Sequence, residues 1–347
     1  MWWKILSVII ILYTFIIGLL MPLHVGIVEV NPVISEAGKS TTLTVSGYNT
    51  FFTKAENKIR VWLKVDSTNA LLANTVLVEN DVTLQATFLL PTTLPQNKIT
   101  DCTLIVDDPI NGSALKPSAV SIKPTSQLDT TTTLNSWKQQ PINNLHRKSS
   151  FTFPYRNILS ETIRNTFYHV PLWFAMVILF SVSLVYSWRY LQSRNNDYDL
   201  KAVAFTQVGI LFGILGLVTG AIWAKNTWGA YWSWDIKQNV SAIAMLIYIA
   251  YFVLRQSFED NEKRARLSAV YNIFAYFAMI PLLFVIPRLA DSLHPGNGGN
   301  PGFGGQDLDN TMRMVFYPAI IGWIIFGIWL AQLSYRIYFL DRKLNEF

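Results

Sequence analysis

Thiol chemistry is almost absent from this chain: one cysteine, Cys102, occurs in 347 residues. A lone cysteine excludes an intramolecular disulfide. No Cys-x-x-Cys-His attachment motif exists, so the chain is not itself a c-type cytochrome. Charge is scarce as well. Asp, Glu, Lys and Arg make up 14% of residues, where ordinary soluble domains carry about 25%. No Gly-x-x-x-x-Gly-Lys-Ser/Thr phosphate loop occurs, which excludes ATP hydrolysis by this chain alone. Histidine is limited to four residues. Apolar side chains are abundant, at 51%, and the mean hydropathy is +0.28. These values mark an integral membrane protein with a soluble part attached. The net charge of +6 does not imply nucleic acid, because cytoplasmic loops of membrane proteins collect Lys and Arg.

Residues 5–23 are apolar and uncharged, and follow Trp2, Trp3 and Lys4. Their length nearly spans a bilayer core, which needs about 20 residues. A cleaved signal peptide would need a small-residue site, and Met21-Pro22-Leu23-His24 is a poor one; a retained helix over 1–23 is expected. Residues 24–125 change character. Val-, Thr- and Leu-rich runs at Ile27–Val30, Thr41–Ser46, Ile59–Val65, Val82–Leu89 and Thr103–Val106 alternate with Gly, Asn, Asp and Pro clusters. This predicts a small antiparallel sandwich. It carries no His, Asp or Glu cluster at ligand or catalytic spacing and reads as a docking or spacer module. Cys102 is expected in or beside a strand, as a small hydrophobe. Residues 126–160 read as a linker, with His146 solvated beside Arg147 and Lys148.

The remaining region, 161–347, holds five apolar stretches free of Asp, Glu, Lys and Arg, at about 168–188, 202–224, 239–254, 267–287 and 314–335. With the first helix they give six spans. The fold class expected is a mainly α membrane protein, six transmembrane helices with a small extracytoplasmic all-β sandwich inserted after helix 1. Counting Lys and Arg in short loops gives eleven on one side (Lys4, Arg189, Arg194, Lys201, Arg255, Lys263, Arg264, Arg266, Arg336, Arg342 and Lys343). The other side has four (Lys225, Lys237, Arg288 and Arg313). The positive-inside rule then places both termini in the cytoplasm. The sandwich and the loop between helices 3 and 4 fall on the outer side.

That loop, 223–238, concentrates Trp223, Trp228, Tyr231, Trp232 and Trp234 within twelve residues, with Gly229 and Asp235 among them. An interfacial aromatic belt accounts for such rings taken alone. A binding platform becomes the better reading because His169 and His294, the only histidines in the last 200 residues, flank the loop on the same outer side. Haem is the chemistry these parts fit. A flat porphyrin stacks on Trp and Tyr faces, its iron takes imidazole, and its propionates want cations such as Arg288 and Arg313. Asp235 either orients a side chain or pairs with Lys237. A zinc site is less apt, since two His lack the further ligands zinc takes. The loop 294–305, with six Gly in positions 296–305, is either a tether or a flap that lets His294 engage and release iron.

Trp228-Gly229-Ala230-Tyr231-Trp232-Ser233-Trp234-Asp235 resembles the tryptophan-rich "WWD" motif of the haem-handling proteins of cytochrome c biogenesis. Tyr168-His169-Val170-Pro171 and Ser292-Leu293-His294-Pro295-Gly296 resemble the two histidine motifs of the CcmC family, in the same order around the tryptophan motif. The resemblance covers about residues 160–340. It implies a bacterial inner-membrane protein that holds haem b at the periplasmic face and presents it to the haem chaperone CcmE. CcmA, CcmB and CcmD would be its ABC-transporter partners, and membrane lipid its surroundings. Catalysis is not implied; any ATPase activity would come from the partner subunits. Carried over by position, the axial ligands are His169 and His294, and the platform is Trp228, Gly229, Tyr231, Trp232, Trp234 and Asp235.

Two departures from the family pattern stand out. The loop after helix 1 swells to about 140 residues, and the tryptophan motif partly resembles that of CcsA, a haem-exporting synthetase. A CcsA-like synthetase is therefore one competing reading, weakened because no His lies in the middle of a helix. A permease or receptor whose sandwich binds a partner, with the aromatics only a belt, is another.

Overall fold

A computed structural model describes residues 1–95, 98–124, 137, 142–147, 151–294 and 308–345. The chain divides into two compact units, Pro22–Ser160 and a helical unit of Met1–Met21 with Glu161–Phe347.

The smaller unit is a two-sheet sandwich. Its strands are β1 (Gly26–Asn31), β2 (Ile34–Glu36), β3 (Ser40–Tyr48), β4 (Arg60–Lys64), β5 (Ala70–Leu72), β6 (Thr75–Val78), β7 (Thr83–Leu89), β8 (Thr100–Asp108) and β9 (Gly112–Lys123). One sheet has the order β1-β3-β7-β6 and the other β2-β9-β8-β4-β5. All pairings are antiparallel except β2 with β9. The split into an outer four and an opposing set built around consecutive hairpins is that of immunoglobulin-type sandwiches. Alternation explains the core: Leu84, Ala86 and Phe88 of β7 and Leu43 and Val45 of β3 point inward and are fully buried.

Each of the five strands expected from the sequence overlaps an observed one. Cys102 lies in β8, fully buried, and burial pushes its thiol up to about 12, so it is an inert core residue. The tripeptide Gly38-Lys39-Ser40, which matches the end of a phosphate loop, sits in the turn from β2 to β3 with Gly38 at φ 77. It opens a strand and not a helix, and no phosphate cradle forms there.

The expected linker needs correction. Trp137 is buried in the sandwich core at 4% exposure, donating from Nε1 to the Thr93 carbonyl at 3.0 Å. Ile142 and Leu145 cover Trp62 and Ile105 on the outer face of β4 and β8. His146 is exposed, as expected, and its Nδ1 lies 2.9 Å from the Asp107 carboxylate. Asp107 is completely buried and also accepts from Arg60 and from the His146 backbone N–H. A buried carboxylate needs such partners, and supplying them draws the segment onto the sheet.

The larger unit contains six helices long and apolar enough to cross a membrane. They are α1 (Trp2–Leu20), α2 (His169–Ser193), α3 (Asn196–Trp228), α4 (Ile236–Gln256), α5 (Asn261–Ile280) and α6 (Asn310–Asn345). Their ends carry the expected punctuation. Asn195, Asp235 and Asp260 cap α3, α4 and α5 through side-chain acceptors, and Gly229 ends α3 at φ 85. Pro281 ends the regular part of α5, and the chain continues through a π turn, Pro281–Val285. α2 packs against α3, α5 and α6, while α1 lies on α6.

The α2–α3 contact is set by glycine spacing. Gly220, Gly216, Gly213 and Gly209 run down one face of α3. A Cβ added to them would meet His169, Trp173, Met245 with Met176, and Phe180 respectively, all closer than 3.0 Å. His169, Trp173, Met176 and Phe180 repeat at helical spacing on α2, so each large side chain lies on bare α3 backbone. Small residues at such an interface let apolar helices approach closely.

Candidate haem-binding cavity

The candidate residues His169, Trp232 and His294 converge at the ends of α2, α3 and α4. His169 is the first residue of α2 and follows a 3-10 turn at Ser160–Phe167. Its Nδ1 lies 3.1 Å from Thr219 Oγ1. The single hydroxyl proton of Thr219 is directed at the Leu215 carbonyl, 2.8 Å, or the Gly216 carbonyl, 3.1 Å. Thr219 must therefore accept from the ring, which fixes His169 with its proton on Nδ1 and its lone pair on Nε2.

His294 reaches the same state by another route. Its Nδ1 lies 2.7 Å from Asp235 Oδ1. Asp235 also accepts from Ser292 Oγ at 3.0 Å and the Leu293 N–H at 2.7 Å, while capping α4 through the Lys237 N–H at 2.9 Å. Burial works to raise the Asp235 carboxyl, but the Leu293 N–H, Ser292 hydroxyl and Lys237 N–H donors oppose it, and the carboxyl is held below the usual carboxylate value. Burial in turn holds His294 below the ordinary imidazole value, against the pull of Asp235. The consistent state is an ionised Asp235 accepting Nδ1–H from a neutral His294. Nε2 then has no hydrogen-bond partner among the described residues. Of the two roles open to Asp235, orienting a side chain is realised.

The aromatic loop is held by the first turn of α4. Gln238 Oε1 accepts from the Ser233 N–H at 2.9 Å and Oγ at 3.1 Å. Asn239 Nδ2 donates to the Trp234 carbonyl at 2.8 Å. Lys225 Nζ closes the other side on the Gly229 carbonyl at 2.8 Å. Trp234 is thereby kept at φ 59, a left-handed conformation unusual for a bulky residue and one that persists only where surroundings impose it. The His294 ring lies between Trp228, at 4.8 Å and edge-on, and Trp223, at 5.7 Å.

His169 and His294 line one cavity of about 330 Å³, within the range of small-molecule sites. Trp173, Leu217, Trp232, Val240 and Phe284 give it apolar walls, and Lys237, Gln238 and Ser241 add polar groups beside the two histidines. Asp235 serves from behind His294. Tyr231 and Trp234 are 60% and 78% exposed and do not line it; Gly229 acts as the α3 terminator. Neither Arg288 nor Arg313, expected as propionate partners, is among the residues that line it. Arg288 follows the lining residue Pro287, and Arg313 begins α6, which contributes nothing to the cavity among the described residues. Lys237 is the cation in place. The glycine-rich loop lies outside the described residues beyond His294. Thr219, Gly216, Gly220 and Gln238 were not singled out from the sequence; the four-residue spacing of Gly216 and Gly220 in an apolar helix was the available signal.

A family model described as heme exporter protein C matches residues 148–346. The chain belongs to the heme exporter protein C family. Among curated relatives, heme exporter protein C of Bradyrhizobium diazoefficiens is 25% identical over 185 residues, 53% of this chain and 70% of that protein. Its counterpart in Haemophilus influenzae is 28% identical over 163 residues, 47% of this chain and 63% of that one. Cytochrome c biogenesis protein CcsA of a Synechococcus strain is 38% identical over 81 residues, 23% of this chain and 27% of its own length. The family match begins at residue 148, so it leaves the sandwich strands unmatched. Six apolar helices and this family make the chain a multi-pass membrane protein.

Proposed function

We propose that this chain binds haem b as cargo in the cavity between His169 and His294 and presents it to CcmE during c-type cytochrome maturation. The observation that carries the reading is the pair of imidazoles lining one cavity, both held as Nδ1–H tautomers by second partners. This is the state in which Nε2 can ligate iron, and outer partners of this kind raise ligand basicity. The apolar lining with Trp232 suits a porphyrin face, and Lys237 is placed to meet a propionate. The donor set fits: two neutral imidazoles and an apolar slot, with no group of three or more metal-ligating side chains of the kind zinc would take among the described residues.

On this reading the residues bind and orient, and no bond is made or broken by the protein itself. The chain is a delivery subunit without catalysis of its own. CcmA, CcmB and CcmD would be its partners in the bacterial inner membrane. Both termini would be cytoplasmic, with the sandwich and the aromatic loop periplasmic, in line with the lysine and arginine bias of its short loops. Tyr231 and Trp234, exposed on the loop, would then meet the chaperone.

A test compares absorption spectra of the detergent-purified full chain and a His169→Ala/His294→Ala variant, each with and without co-expressed CcmE. The expected result is a Soret band in the wild type, lost in the variant, with haem passing to CcmE only in the wild type. Equal haem content in both proteins would overturn the reading. The CcsA-named relative keeps a synthetase as the second reading. Thioether formation on a Cys-x-x-Cys-His peptide by the purified chain would favour it.

A further inference from the structure

The histidine cavity has a flank as well as an end. Three of its lining residues, Phe174 and Ile178 of α2 and Phe284 of the π turn, are 38%, 38% and 44% exposed. The other lining residues are half-buried or buried. At these three positions the wall is one side chain thick, with the cavity on one side and the outer surface of the helices on the other. Phe174 and Ile178 are four residues apart and share a face of α2. From His169 to Ile178 the cavity follows α2 for nine residues, about 13 Å at 1.5 Å per residue. That is nearly half of the roughly 30 Å hydrocarbon core of a bilayer. Its polarity is graded along this depth. Lys237 and Gln238, from the first turn of α4, stand at the histidine end, and the deeper lining is Val177, Leu217 and Leu283. The segment bearing Phe284 is the least regular of the bundle. Pro281 and Pro287 lack N–H groups, and between them the Ile286 N–H bonds the Pro281 carbonyl in a π turn. Such turns recur at functional sites.

We propose that this flank is a lateral port, through which cargo enters the histidine cavity from the lipid leaflet on the aromatic-loop side, past Phe174, Ile178 and Phe284. The identity of the cargo rests on the haem reading. A porphyrin with propionates is amphipathic. In a leaflet its ring lies among acyl chains and its carboxylates stay at the head groups, because charge resists burial in hydrocarbon. The cavity repeats that order of polarity over the same depth. Sideways transfer therefore keeps the ring in apolar surroundings and the propionates at the interface throughout, and brings the iron to His169 and His294 without a passage through water. Exposed Phe and Ile side chains at the port meet acyl chains at no cost.

The experiment places the full chain in phosphatidylcholine proteoliposomes, adds haem b, which partitions into the bilayer, and follows growth of the ligated Soret band. Ile178→Trp, which narrows the port, should load about tenfold more slowly, the rate equivalent of overpacking at the low end of its usual cost. Ile178→Ala, which widens it, should load faster. A narrowed port slows entry and exit together, whereas a damaged site speeds exit, so release to excess apomyoglobin separates the two. Leu246→Trp, on the exposed face of α4 and away from the cavity, should load at the wild-type rate. A second readout needs no haem. Cys102 is buried, so Phe284→Cys can be labelled alone with a fluorophore, which nitroxide-bearing phosphatidylcholine should quench more strongly than aqueous iodide. Equal loading by wild type and both Ile178 variants overturns the port, even where the label is quenched by lipid, and stronger quenching by iodide overturns it as well. A wild type that takes up no haem at all overturns the haem reading itself, and the port for haem falls with it.

Discussion

Asp235 and His294, 59 residues apart, meet at 2.7 Å through Oδ1 and Nδ1. The same carboxylate starts α4 and accepts from Ser292 and Leu293. One side chain therefore fixes the loop entering α4 and the loop bearing His294, and it also selects which nitrogen of His294 faces the cavity.

Asp235→Asn separates these roles. Asn is as good a helix cap as Asp, so the fold should survive. Its amide has one acceptor oxygen and two N–H donors, so it cannot serve Leu293 N–H, Ser292 and His294 Nδ1–H together. Haem affinity of the purified protein, read from Soret titration, should fall about 10–100-fold, the usual cost of losing an outer partner to a ligating His. Unchanged affinity would mean that His294 needs no orienting carboxylate.

Thr219→Val addresses the other imidazole. It removes the hydroxyl that accepts from His169 Nδ1 while keeping the side-chain volume. Affinity should drop about tenfold, toward the low end of outer-partner losses. Electron paramagnetic resonance of the haem-loaded variant should show altered axial ligation while helical circular dichroism stays the same. An identical resonance spectrum would remove Thr219 from the site.

The aromatic loop and the two histidines were readable from the sequence because their chemistry is unusual for a membrane segment and because helix counting puts them at one end. The strands of the sandwich were half readable. β2 and β5 have three residues each, too short for a period to show. β9 carries Pro117 where its register with β8 shifts, next to Ser118 at φ 48, so its sequence reads as loop. Trp137 lies among polar residues, and its burial follows from the chain returning to β5, which no local pattern encodes. The cavity walls were hidden for the same reason: Gln238 and Thr219 matter through partners that only the helix packing brings near. Arg288 and Arg313 were named as propionate partners from loop membership, which does not say which side chains line the cavity.

Trp232 and Trp234 should behave differently, although two residues apart. Trp232 lines the cavity, while Trp234 is 78% exposed. Trp232→Ala should lower haem retention, at about 1 kcal/mol for a stacking face beyond burial. Trp234→Ala should leave retention in the isolated protein near wild type and slow transfer to CcmE. Equal retention losses in both variants would place Trp234 in the cavity as well.

In the sandwich, burial works to raise the Asp107 carboxyl, but the His146 backbone N–H, Arg60 and the His146 ring together hold it below the usual value. A lowered carboxylate stabilises the fold above its unfolded value, about 3.9, and loses that contribution as pH falls through the folded value. Asp107→Ala should destabilise the sandwich by about 2–4 kcal/mol at neutral pH, since it leaves buried donors unpaired. The gap from wild type should close in strong acid. Hydrogen exchange of the His146 amide, which donates to Asp107 at 2.7 Å, should speed up in the variant at pH 7. Unchanged protection would mean that the segment is held by Ile142 and Leu145 alone.

Gly220 gives the sharpest separation of stability from function. A Cβ there would lie 2.7 Å from His169 Cε1, and the imidazole is a rigid ring already tied to Thr219. Replacing a helical Gly with Ala gains about 1 kcal/mol of helix propensity, while overpacking a tight contact costs about 1–3 kcal/mol. The net effect on stability runs from zero to a loss of about 2 kcal/mol, so Gly220→Ala should still fold, melting at or modestly below wild type. The displaced atom is part of the proposed ligand, so haem occupancy should fall well below wild type. Gly213→Ala is the control: its Cβ would meet Met245 Sδ and Met176 Sδ, flexible side chains in the helix core, and should cost stability while leaving haem occupancy per folded molecule unchanged. If both variants keep full haem, the close approach of α2 and α3 serves packing alone, and His169 is not held in place by the absent side chain of Gly220.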